Sequence, residues 1–103
     1  MAIKVILERT VSADNQGEVA ELLKELRAKA VLQRGYISGE TLFSVDKPGT
    51  HVVISTWESL REWKAWEKNA ERKELSAEIN MLLKTKSKIS IYATTPRSIA
   101  EGV

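Results

Sequence analysis

All three tryptophans of the chain, Trp57, Trp63 and Trp66, fall within ten residues of one another. Indoles so close in sequence either fill a core, the commoner fate of so large a side chain, or wall a pocket for a flat apolar ligand. At roughly 100° per residue, Leu60, Trp63, Trp66 and Ala70 share one arc of about 120°, a single stripe down a helix. Trp57 sits apart from that stripe, at the end of a strand, and is read as packing. Tyr36, Tyr92 and Phe43 are further aromatic walls for such a pocket. Asn69, Arg72, His51 and Glu40 are the groups that could supply hydrogen bonds or a base. An apolar cavity with a few polar groups is how a small-molecule site is usually composed.

Other chemistries have little to build on. His51 is the only histidine, so no imidazole cluster can hold a metal, and the lack of cysteine removes thiolate sites, disulfides and a Cys nucleophile. The glycines are scattered and form no phosphate-cradling loop, and no Gly-x-Ser-x-Gly elbow occurs. No metal and no cofactor are therefore expected. Sixteen Lys+Arg against fourteen Asp+Glu leave a formal charge of +2, with Lys and Glu alternating along the helical stretches. A nucleic-acid footprint would be a concentrated basic stripe, and none is visible. No apolar run reaches bilayer-spanning length, and the opening MAIKVILERT is charged too soon for a signal peptide. The expectation is a cytoplasmic protein that binds neither nucleic acid nor membrane.

The elements that must position these residues follow from periodicity. At 103 residues the chain is read as one domain over residues 1–93 with a C-terminal tail over 94–103. Ala2 to Ser12 alternates as a strand with Ile3, Val5, Leu7 and Val11 on one face. Val19, Leu22, Leu23, Leu26 and Ala30 recur at helical spacing between Gly17 and Gln33, and Gly35 is suited to the left-handed residue that ends such a helix. Tyr36 to Val45 is a second strand, with Ile37, Phe43 and Val45 on one face and Tyr36, Ser38, Glu40 and Leu42 on the other. Gly39 within it suggests a bulge, a bend or a close approach. The turn Asp46-Lys47-Pro48-Gly49 leads to a third strand, Thr50 to Trp57. Ser59, with Glu62 three residues on, is a capping box opening the tryptophan helix. A further helical stretch runs from Glu71 to Lys84, and whether it continues the tryptophan helix or bends near Asn69 is open from sequence. Lys88 to Ala93 is the last strand.

The order β-α-β-β-α-β is the ferredoxin-like arrangement, an α+β fold whose four-stranded antiparallel sheet carries its helices on one face. Both sheet faces hold apolar residues, and a large wet apolar face is costly. A second copy of the chain, sheet against sheet, is the simplest cover, so a homodimer is expected.

The segments QRGYISGETL, DKPGTHVVISTWES and REWKAWEKNAERKEL, in this order of elements, resemble the antibiotic biosynthesis monooxygenase (ABM) family over nearly the whole chain to Ala93. The resemblance implies a dimeric α+β barrel. It implies an activity less narrowly, since members include cofactor-free oxygenases that turn phenols into quinones, haem-degrading enzymes, isomerase-like proteins and many uncharacterised ones. Trp66 matches the helical indole of these branches. The haem-degrading branch has a His ten positions later and an Asn on the first strand, where this chain has Ser76 and Glu8-Arg9, which speaks against haem degradation. The quinone-forming branch places an Asn and a Tyr near Glu62 and Arg72, so only its Trp carries over. On this resemblance the expected function is a cofactor-free monooxygenase acting on a small phenol- or hydroquinone-like ring. Trp66, Arg72 and His51 are then the catalytic candidates, and Trp63, Trp66, Asn69, Tyr36 and Phe43 hold the substrate. The alternative is a non-catalytic homodimer of the same fold, either structural or binding a small apolar molecule.

Overall fold

The alternating apolar runs become four strands, and the 3.6-period runs become helices laid across one side of them. In the computed structural model, which describes residues 1–95, the order is β1 (Ile3–Thr10), α1 (Gln16–Ala30), β2 (Tyr36–Phe43), β3 (Thr50–Trp57), α2 (Leu60–Glu67), α3 (Ala70–Met81) and β4 (Lys88–Ala93). A single 3-10 turn, Ala13–Asn15, leads into α1. The sheet order is β2-β3-β1-β4 and every neighbouring pair is antiparallel. This is the ferredoxin-like arrangement that the sequence order predicts. No helix among the described residues is long and apolar enough to cross a membrane. Beyond Thr95, the tail assigned from sequence lies outside the described residues.

The strand pairing Ile3↔Trp57, Val5↔Ser55, Leu7↔Val53 and Arg9↔His51 puts these eight residues on one face, toward the helices. Ile3, Val5 and Trp57 pack there with Trp63 and Trp66, while Val11, Val19 and Ile79 form a second cluster toward the far end of the sheet. The opposite face carries Ile6, Val52, Ile54 and Leu42 among Lys4, Glu8 and Glu40, and no helix among the described residues covers it.

Three local features differ from the sequence reading or resolve it. First, α1 stops at Ala30, and Val31 to Gln33 continue as tightened turns in which Leu32 and Gln33 donate to the carbonyls of Lys29 and Ala30. Gly35 follows with φ of 84°. Second, the faces of β2 are not as simple alternation predicts. A bulge between Tyr36 and Ser38 inserts one residue, so that Tyr36 pairs with Trp57 and Gly39 with Ser55. Tyr36, Gly39, Thr41 and Phe43 thereby share the helix-side face, and Tyr36 and Phe43 are not on opposite faces. Gly39 lets the Tyr36 hydroxyl approach its backbone, and a Cβ there would push that hydroxyl aside.

Third, the tryptophan helix and the stretch that follows it are two helices, broken at Asn69. Asn69 adopts an extended backbone (φ −61°, ψ 133°), and its side-chain oxygen accepts the Arg72 amide at 3.1 Å, capping α3. An Asn side chain that bonds its own neighbouring backbone competes with helix continuation. Ser59 does the same for α2, accepting from the Glu62 amide as the capping box predicts.

Candidate functional site

Between the helix-side face and the helices lies a cavity of about 100 Å³. Its floor is Val5, Leu7 and Arg9 of β1, Val53, Ser55 and Trp57 of β3, and Tyr36, Gly39 and Thr41 of β2. Trp63 and Trp66 come from α2, Arg72 from α3, and Leu23, Leu26, Arg27 and Ala30 from α1. The indoles are all buried, at 1–4% exposure. Trp57 meets the rings of Tyr36 and Trp63 edge-on, with centroids 5.4 and 5.8 Å apart, and its own N–H donates to the Ser55 hydroxyl at 2.9 Å. Its polar handle is satisfied, so it is held as a packing residue. Trp63 differs, since its indole nitrogen is buried with no hydrogen-bond partner among the described residues.

The break at Asn69 sets the position of Arg72. It opens a new first turn in which the Arg72 side chain reaches back to the end of α2 and donates to the Glu67 carbonyl at 3.3 Å. A cation there meets the negative end of the α2 dipole. The guanidinium lies 5.1 Å from the centroid of the Trp63 ring, a cation–π contact. Arg72 is only 9% exposed, and burial lowers its pKa while the Glu67 carboxylate raises it.

Arg9 is more deeply enclosed, at 4% exposure. Burial first, and the positive charge of Arg72 second, lower its pKa to about 10. It stays a cation at neutral pH. Its Nε is buried and unpartnered among the described residues, and no carboxylate lines the cavity. The site is thus an apolar, indole-walled space edged by three guanidinium groups, of which Arg9 and Arg72 are buried and Arg27 is exposed and donates to the Gly39 carbonyl at 2.7 Å.

Residues 2–78 match the model of the antibiotic biosynthesis monooxygenase family. The chain belongs to that family. Several solved structures share its fold. A conserved protein from Methanosarcina mazei Go1 aligns with a TM-score of 0.87 at 19% identity, covering 92% of this chain and 94% of that one. A structure described as an antibiotic biosynthesis monooxygenase gives 0.82 at 18%, covering 91% and 99%. SnoaB, a cofactor-independent oxygenase from Streptomyces nogalater, gives 0.81 at 15%, covering 92% and 94%. No curated protein sequence matches significantly.

Within this ABM domain the residues singled out from sequence fall into two groups. Trp63, Trp66, Arg72 and Tyr36 meet around the one cavity. Phe43, His51 and Asn69 do not line it. Phe43 is 76% exposed and stands with His51, ring centroids 6.2 Å apart, beside an adjoining hollow toward the β2–β3 turn. The side-chain oxygen of Asn69 is engaged in capping α3. Ser76 is half-buried, with its hydroxyl enclosed and unpartnered among the described residues, outside the cavity lining. Arg9 was missed, although the two-residue period that places Ile3, Val5, Leu7 and Val11 on one face passes through position 9. Counting only apolar residues skips it.

The surroundings of His51 make it a pH-sensitive structural residue. It is 5% exposed, and burial first and the Arg9 charge second lower its pKa below the ordinary 6.5. The unfolded chain therefore takes up the proton before the folded one does. Stability is fully present above about pH 6.5 and is lost as the pH falls toward the depressed folded value. Urea unfolding across this range is expected to show the decline, and His51→Gln is expected to flatten it. An identical slope in the variant would assign the decline to other groups.

Proposed function

We propose that the chain is a cofactor-free monooxygenase that oxidises a small phenol- or hydroquinone-like ring with dioxygen. The observation that carries this reading is Arg72 held against the Trp63 face at the edge of an indole-walled cavity. Family membership and the fold shared with a cofactor-independent oxygenase support it.

The chemistry asks little of the protein beyond environment. A phenol loses its proton, and the electron-rich phenolate gives one electron to dioxygen. Superoxide and the ring radical combine, forming a carbon–oxygen bond at a ring carbon that bears hydrogen. The peroxide takes up a proton, then that carbon loses its hydrogen as a proton and the O–O bond breaks, leaving a quinone and water. One oxygen atom stays on the ring and the other leaves as water, and all four electrons come from the substrate. Trp63 and Trp66 hold the ring, and Arg72 stabilises the phenolate, where a preorganised cation in a water-poor site acts most strongly.

The cavity-lining residues include neither a carboxylate nor an imidazole, so the phenolic proton has no evident acceptor in the wall. That observation favours the second reading, a small-molecule binder without turnover. Incubating the metal-free protein with electron-rich single-ring phenols and hydroquinones, in air and under anaerobic conditions, separates the two. The oxygenase reading expects quinone formation above the buffer blank only in air, with one atom from labelled dioxygen retained. Rates equal to the blank alongside measurable binding would leave the binder. Under either reading we propose a homodimer in which a second copy covers the helix-free face carrying Ile6, Val52, Ile54 and Leu42.

A further inference from the structure

The cavity is rich in unused donors. Arg9 appears in none of the ion pairs among the described residues, and its Nε has no partner. The indole N–H of Trp63 is likewise unpartnered. Buried polar groups are normally hydrogen-bonded and buried charges paired, so three features in one cavity call for an acceptor: two buried guanidinium groups (Arg9 and Arg72), an unpartnered indole N–H and, among the described residues, no carboxylate in the wall.

The arginines are not equivalent, and Arg27 is already engaged on the Gly39 carbonyl. Arg72 stacks on Trp63 and gives an N–H to the Glu67 carbonyl, so part of its donor set is already used. The Nε of Arg9 has no partner among the described residues and is enclosed, so a ligand oxygen reaches it where the neighbouring side chains give way. The Nε–Nη edge presents two parallel donors, a spacing that matches the two oxygens of a carboxylate better than the single oxygen of a phenolate. Size narrows the ligand further. An engineered cavity of about 150 Å³ takes benzene, so one of about 100 Å³ admits a single ring at most without side-chain movement.

We propose that Arg9 is a substrate-binding residue that anchors a carboxylate, so that the natural ligand is a single-ring aromatic carboxylate of the hydroxybenzoate class. The carboxylate sits on Arg9, the ring lies among Trp57, Trp63 and Trp66, and a phenolic oxygen on the ring faces Arg72. This rests on the indole-walled cavity being the ligand site, as the proposed function also requires.

Calorimetric titration of the full-length protein with benzoate, benzamide and 4-nitrophenolate tests it without any turnover. Benzoate is expected to bind at least about tenfold tighter than benzamide, its neutral isostere. Arg9→Met is expected to remove that preference and, by deleting an unpaired buried charge, to raise the melting temperature of the ligand-free protein. Arg9→Lys keeps the charge but not the fork and is expected to show an intermediate preference. Equal binding of benzoate and benzamide, or a benzoate preference that survives in both variants, overturns the assignment. So does 4-nitrophenolate binding as tightly as benzoate with the same tightness in Arg9→Met, which would make a phenolate at Arg72 the anchored group. If Arg9→Met does not fold, Arg9→Lys decides alone, an unchanged preference counting against the proposal. Benzoate selectivity without any quinone formation would sink the oxygenase reading only. Quinone formation without benzoate selectivity would sink the Arg9 assignment only.

Discussion

Arg72→Met is expected to slow quinone formation by about 10²- to 10³-fold, the usual effect of removing one preorganised group that stabilises a developing oxyanion. The loss should fall on kcat more than on KM, because the guanidinium acts on the charge that appears when the phenol ionises. The pH–rate profile carries an independent signature. With the cation gone, the bound phenol ionises less readily, so the rising limb of the profile should move to higher pH. Methionine keeps a similar length and apolar character beside Trp63, and circular dichroism checks that the variant is folded. A variant with an unchanged rate and profile would remove Arg72 from the reaction and leave it as a strut between α2 and α3.

The largest stability effect is expected at Trp57. It is 1% exposed, meets Tyr36 and Trp63 edge-on, and has its N–H bonded to Ser55. Trp57→Ala empties the centre of the larger core cluster and should cost about 3–5 kcal/mol in urea unfolding, the range for Trp truncation in a packed core. Val45→Ala is the matching control, because Val45 is 96% exposed and should shift stability by less than about 0.5 kcal/mol. A loss at Trp57 of under about 1 kcal/mol would mean that the cavity collapses around the missing ring, and that Trp57 is not the keystone its contacts suggest.

The strands and helices were legible because their signals are local. The two-residue period of β1, the Pro-Gly turn before β3 and the Ser59–Glu62 cap each lie within a few residues, and each forms as the local rule says. The faces of β2 were not legible. One inserted residue between Tyr36 and Ser38 reverses the side on which everything up to the bulge lies, and its only signal was Gly39, which fits a bend or a close approach equally well. The break at Asn69 left a signal that periodicity alone could not weigh, since the apolar spacing runs on through it and only the side chain's capping preference marks the stop. The site was half legible. Residue type pointed to the indoles, and spacing gathered Trp63 and Trp66 onto one face. Arg9 and Arg72 became a pair only through the tertiary fold, which brings a strand residue and a helix residue 63 positions apart to one cavity.

The break at Asn69 separates two duties along α3. Arg72 takes its bearing from Glu67 and Asn69, all within six residues, whereas Leu75 and Ile79 are the buried residues of the turns that follow. The two duties end at different places: Asn80 and Met81 are exposed and can be exchanged without touching the groups that hold Arg72, whereas Leu82 and Leu83 just beyond them pack against the Val11–Val19–Ile79 cluster and tie the end of α3 back to β1.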